Sequence, residues 1–104
     1  MIVSEFYYKD KCVKSFFVKG HANYDNYNKD IVCSAVTAIV SGSLNAFDIL
    51  YNKNVKINVE ENKISVNIIN SCNEINKIME FLYIQLETVF VQYPKNFILK
   101  KVGE

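Results

Sequence analysis

At 104 residues the chain has the length of one ordinary domain and is too short for two independent cores. Half of it is apolar and 22% is charged, which marks a globular chain and excludes a disordered one. Twelve Lys oppose eleven Asp and Glu for a net charge of +1, and Arg is absent, so no clustered charge or bidentate phosphate fork argues for a nucleic-acid partner.

No run approaches the ~18 consecutive apolar residues of a membrane span. The opening Met1-Ile2-Val3-Ser4-Glu5 has no basic flank ahead of an apolar run, so neither a signal peptide nor a membrane association is expected. Three cysteines (Cys12, Cys33 and Cys72) are an odd set without paired spacing, and His21 is the single histidine. That leaves no disulfide framework and too few ligands for a closed zinc site. The expectation is a cytoplasmic domain that uses no metal.

In chain order, residues 2–8 and 12–19 are rich in Ile, Val, Phe and Tyr and flank the polar turn Lys9-Asp10-Lys11, which predicts a hairpin. Residues 31–51 are apolar nearly all round, with Ala35, Ala38, Ser41, Gly42 and Ser43 making the first turns small. They predict a central, buried helix closely approached by its neighbours, with Asp30 as its N-cap. Val55, Ile57 and Val59 alternate with polar residues, as do Ile64, Val66 and Ile68, and Glu61-Asn62 stands between them at hairpin spacing. A second helix is predicted by the stripe Ile75, Ile78, Met79, Leu82, Leu86, Val89, Phe90 and Tyr93, with Ser71 and Glu74 as a capping box. Phe97-Ile98-Leu99, after the single Pro94, reads as a last strand. The order is ββαββαβ, an α+β domain whose antiparallel or mixed sheet carries both helices on one face. The other face bears Tyr and Phe and offers a surface for self-association.

Residues 20–33 carry the chemistry. Gly20 lets the chain leave the second strand, and the following segment, with Ala22, Asn23, Tyr24 and Asn28, is polar and turn-prone. Tyr24 and Tyr27 either line a cleft or anchor the loop. Cys33, placed two residues inside a helix capped by Asp30, gains thiolate stabilisation from the macrodipole and unpaired N–H groups. If the loop folds back, His21 meets that thiol as general base, and first-turn N–H groups hold an oxyanion. The plainer reading makes Cys33 a small core residue and His21 a solvated one. Asp30 either caps the helix or orients His21, with Asp25 a weaker candidate for the latter. Cys72 also stands near a helix start, but no His neighbours it in sequence, and it reads as structural.

This segment resembles the ribosomal-processing cysteine protease family, Prp. Gly20-His21-Ala22 at a strand end and Asp30-Ile31-Val32-Cys33 opening a helix match its motif, with the twelve-residue His-to-Cys spacing. The element order and Tyr93-Pro94 before the last strand extend the likeness over the chain. The resemblance implies that His21 and Cys33 form a catalytic dyad. It implies a substrate, the N-terminal extension of a large-subunit ribosomal protein, cut after an aromatic pair, and a homodimer that needs no metal or cofactor. The chain departs from the family at Asn28, where Gly is usual, and at Ser34 and Thr37, where Ala and Ser are. A single-substrate protease of this kind is expected to keep residues 22–29 open, with His21 away from Cys33, until substrate orders the loop. The alternative reading is a non-catalytic dimeric module that binds a ribosomal protein or RNA.

Overall fold

The computed structural model describes residues 1–20 and 27–104, with residues 27–30 described by backbone alone. The elements run β1 (Ile2–Lys9), β2 (Cys12–Lys19), α1 (Tyr27–Leu50), β3 (Val55–Val59), β4 (Lys63–Ile68), α2 (Asn73–Gln92) and β5 (Phe97–Gly103). This is the predicted ββαββαβ order.

The five strands form one mixed sheet in the order β3-β4-β2-β1-β5. Every neighbour pair is antiparallel except β1 with β5, which run parallel because α2 carries the chain back over the sheet. The β1–β2 turn is made by Asp10 and Lys11, both at positive φ, and the register slips between Tyr7 and Tyr8. Beyond that slip Tyr8 and Val13 face the same side as Phe6 and Phe16.

The alternation decides which face is buried. Ile2, Phe6, Val13, Phe16, Val18, Val66, Phe97 and Leu99 point to one side and join Val32, Val36, Val40 and Phe47 of α1 and Ile75, Met79, Leu82 and Leu86 of α2 in one core. Both helices therefore cover the same face. Phe6 is the centre of this packing: it stacks on Phe16 at 4.7 Å and meets Tyr83 of α2 edge-on at 5.1 Å.

Two helical expectations are corrected. The α1 helix is not enclosed: its buried stripe is only Val32, Val36, Val40 and Phe47, while Ser34, Ala38, Ser41, Gly42 and Asn45 face outward. Among the described residues no atom from outside the adjoining helix backbone stands within 4 Å of the position a Gly42 Cβ would take, so the small residues mark an open face and not a close approach. With a mean hydropathy of 1.4, Ile31–Leu50 is long and apolar enough to cross a membrane on length and composition alone. In α2 the capping box does not form. Cys72 is the N-cap, without a side-chain capping bond, and Ser71 Oγ lies 3.2 Å from Asn76 Oδ1 instead.

Candidate functional site

The site is built where β2 ends. Val18 pairs with Ile64 and Lys19 with Lys63, so the end of β2 runs beside the start of β4. The Gly20 N–H then donates to the Asn62 carbonyl in the β3–β4 turn at 3.2 Å. Gly20 has φ +99°, and any Cβ there would collide with the Met1 carbonyl. A glycine is required by conformation and by space together.

Across from this strand end stands α1. Between them lies a cleft of about 280 Å³, lined by Ile2, Val18 and Gly20 on one side, Cys33, Val36, Thr37 and Val40 on α1, and residues 59–64 at its far wall. Its floor is apolar. Glu60 and Glu61 of the turn help line it, the Glu60 carboxylate accepting Asn58 Nδ2 at 3.2 Å. Cys33 is half-buried with a free thiol, and its Sγ lies 3.9 Å from Thr37 Oγ1, one turn along the helix.

The start of α1 departs from expectation. The helix begins at Tyr27, so Asp30 is its fourth residue and cannot be its N-cap, and Asn28 is helical and not part of a loop. Polar residues in a first turn need no apolar partner, so turn propensity hid their helical state. Cys33 is consequently the seventh helical residue. The N–H groups without an intrahelical acceptor among the described residues are those of the first four, residues 27–30, and neither the helix-terminal thiolate nor the first-turn oxyanion donors fall beside Cys33. Cys72 is the cysteine that occupies a helix N-cap; its Sγ lies 3.9 Å from Asn54 Nδ2.

His21, Ala22, Asn23, Tyr24 and Asp25 lie outside the described residues, as does the expected opening of that loop. The structure brings together Gly20 and Cys33. It adds Thr37, noted in the sequence only as a departure from the family pattern, and the turn Glu60-Glu61-Asn62, read there only as a hairpin turn; the four-residue step from Cys33 was the signal available for Thr37. Among the described residues, no three His, Cys, Asp or Glu side chains converge where a metal ion could sit.

Residues 1–98 match the family model described as cysteine protease Prp. A ribosomal processing cysteine protease Prp of Bacillus subtilis is 46% identical over 41 residues, 39% of this chain and 37% of that protein. The one from Staphylococcus aureus is 29% identical over 87 residues, 81% of this chain and 82% of its own length. A crystal structure of the S. aureus ribosomal processing protease with a substrate peptide superposes with a TM-score of 0.86 at 26% identity, covering 97% of this chain and 99% of that one.

Proposed function

The chain belongs to the cysteine protease Prp family, and from that premise we propose that it is the endopeptidase that removes the N-terminal extension of a large-subunit ribosomal protein during ribosome assembly. The observation that carries the site is that Cys33 and Gly20, the residue before His21, line the same cleft. A half-buried thiol, an apolar floor and the single His of the sequence next in the chain supply a nucleophile, a side-chain subsite and a base.

In this mechanism His21 takes the Cys33 thiol proton as sulfur attacks the scissile carbonyl. The imidazolium then gives that proton to the departing amine, leaving a thioester on Cys33. Water, deprotonated by His21, attacks the thioester carbonyl; the sulfur leaves and is reprotonated. No metal or cofactor takes part. The cleft floor of Val18, Val36, Val40 and Ile64 supports an aromatic side chain beside the scissile bond.

Two further features belong to the proposal. Phe81, Ile84 and Val91 stand 66%, 58% and 71% exposed on the α2 face opposite its buried stripe, which supports a homodimer formed through the helix layer. The three free thiols support a reducing, cytoplasmic setting.

The test is cleavage of a peptide copying the extension by wild type, Cys33→Ala and His21→Ala, followed by mass spectrometry. Cutting by wild type alone is expected. Tight binding without cutting moves the protein to the non-catalytic class.

A further inference from the structure

The total charge of +1 conceals a separation. The five strands carry seven of the twelve Lys and, in Glu5, one of the eleven acidic residues. In α2 the balance reverses, with Glu74, Glu80 and Glu87 against Lys77. An expectation drawn from the sum of charges does not address a fold that sorts them by layer.

The registers show where the strand lysines point. On the face away from the helices, Lys63, Lys19, Val3 and Ile98 form one row, and Asn58, Ser65, Phe17, Glu5 and Lys100 the next. The third row is Lys56, Asn67, Ser15, Tyr7 and Val102. Nothing in the chain's described residues covers this face. At its middle, Phe17 on the central strand and Tyr7 on its neighbour have ring centroids 6.2 Å apart. Lys63 Nζ stands 4.8 Å and Lys19 Nζ 5.6 Å from the Phe17 centroid. Two carboxylates stand on this face against its four lysines: Glu5 accepts the Tyr7 hydroxyl at 2.9 Å, and Glu60, just past the end of β3, accepts Asn58 Nδ2 at 3.2 Å.

We propose that this open sheet binds single-stranded RNA, a base stacking on Phe17 and Tyr7 while Lys19, Lys56, Lys63 and Lys100 hold phosphates. Charge complementarity selects the occupant. A second copy would bring two lysine-rich faces together, and the core of a protein interface is depleted of charge, whereas this face sets four Lys, two Asn and two Ser around two rings, with its apolar residues Val3, Ile98 and Val102 kept to the β1–β5 edge. A flexible ammonium resting on a ring swings to a phosphate and frees the ring for a base, which stacks there whatever its sequence. The Ser and Asn side chains of the second and third rows add hydrogen-bonding groups for ribose hydroxyls. The choice of RNA over DNA rests on the ribosomal reading proposed above; the rest of the inference does not depend on catalysis.

The test is fluorescence anisotropy of a labelled oligouridylate with the full chain. Binding is expected between about 10⁻⁶ and 10⁻⁴ M, and four lysine–phosphate contacts give a log–log salt slope near about −3. Phe17→Ala should weaken binding ~10-fold while Phe17→Tyr keeps it, because stacking on one ring is lost or retained. Lys19→Glu with Lys56→Glu should weaken it further and flatten the salt slope. Circular dichroism confirms that the variants fold, and the two lysine positions are exposed, so they remain informative if Phe17→Ala does not fold. Polyglutamate bound as tightly as the oligonucleotide, no response to these variants, or tighter binding of oligothymidylate would each overturn the proposal. Loss of peptide cleavage would not touch it.

Discussion

Cys33 Sγ lies 3.9 Å from Thr37 Oγ1, so the thiol proposed as nucleophile has a hydroxyl one helical turn further into the same cleft. A hydroxyl there donates to a thiolate more strongly than to a thiol. Thr37→Val should therefore slow alkylation of Cys33 near neutral pH by ~3–10-fold, the equivalent of about 1 kcal/mol. Thr37→Ser should keep the wild-type rate. Equal rates for all three proteins would reduce the contact to packing.

The homodimer proposed above would form on the exposed stripe of Phe81, Ile84, Thr88 and Val91, spaced three, four and three residues apart on the outer side of α2. Sedimentation velocity of the wild type should give a dimer. Ile84→Glu, which places a carboxylate in the middle of that stripe, should give a folded monomer. A dimer that survives both Ile84→Glu and Val91→Glu locates the contact elsewhere, with the outward face of α1 next in line.

Gly20 links the site to the fold. Substituting Ala there forces a left-handed φ on a residue with a Cβ and drives that Cβ into the Met1 carbonyl. The backbone term alone costs roughly 1–2 kcal/mol, and the collision adds to it. Gly20→Ala should lower stability in urea by at least that amount. The same strand end precedes His21, so peptide cleavage should fall more than the unfolded fraction accounts for. Unchanged stability would show that the strand end relaxes freely.

What was legible follows from how local each signal is. The alternation in Val55-Lys56-Ile57 and Ile64-Ser65-Val66 identifies strands because a strand's two faces see different media, and the pairs meet in register. The stripe from Ile75 to Val89 is read for the same reason, and the structure adds Tyr83, whose ring meets Phe6. The α1 helix was misread because Ala, Ser and Gly are equally compatible with tight packing and with an open face; only the neighbours decide, and at Gly42 there are none. Its start was misplaced because Asn28, Lys29 and Asp30 favour turns and caps, while the helix continues through them. At the site, Gly20 and Cys33 were found by residue type. Thr37 registered only as a departure from the family pattern, because its one physical link to the site is a position four residues on from Cys33. The basic sheet was invisible to a sum over the chain and becomes visible only when strand register places four of the seven strand lysines, Lys19, Lys56, Lys63 and Lys100, on one face.

Tyr8 makes a prediction about alkaline stability. Its Oη is shut away from solvent with no close hydrogen-bond partner among the described residues, the Glu80 carboxylate being a longer-range acceptor, and its ring lies under Lys101 Nζ at 5.3 Å. Burial first, then the Glu80 carboxylate and Tyr83 nearby, push its phenol up to about 12 from the ordinary 10.0. A folded value above the unfolded one means that the neutral phenol favours the fold. That contribution is whole below pH 10.0 and is lost as pH climbs toward about 12. Tyr83 shifts upward for the same leading reason, so the wild type should weaken over this window. Tyr8→Phe removes the ionisation and also the unpartnered hydroxyl, whose burial costs about 1–3 kcal/mol. The variant should equal or exceed the wild type in urea unfolding at neutral pH, and its advantage should widen at pH values between 10.0 and about 12. A variant less stable than wild type at neutral pH would mean that the Tyr8 hydroxyl is bonded in solution. An advantage that stays constant across the alkaline window would mean that its phenol does not titrate late.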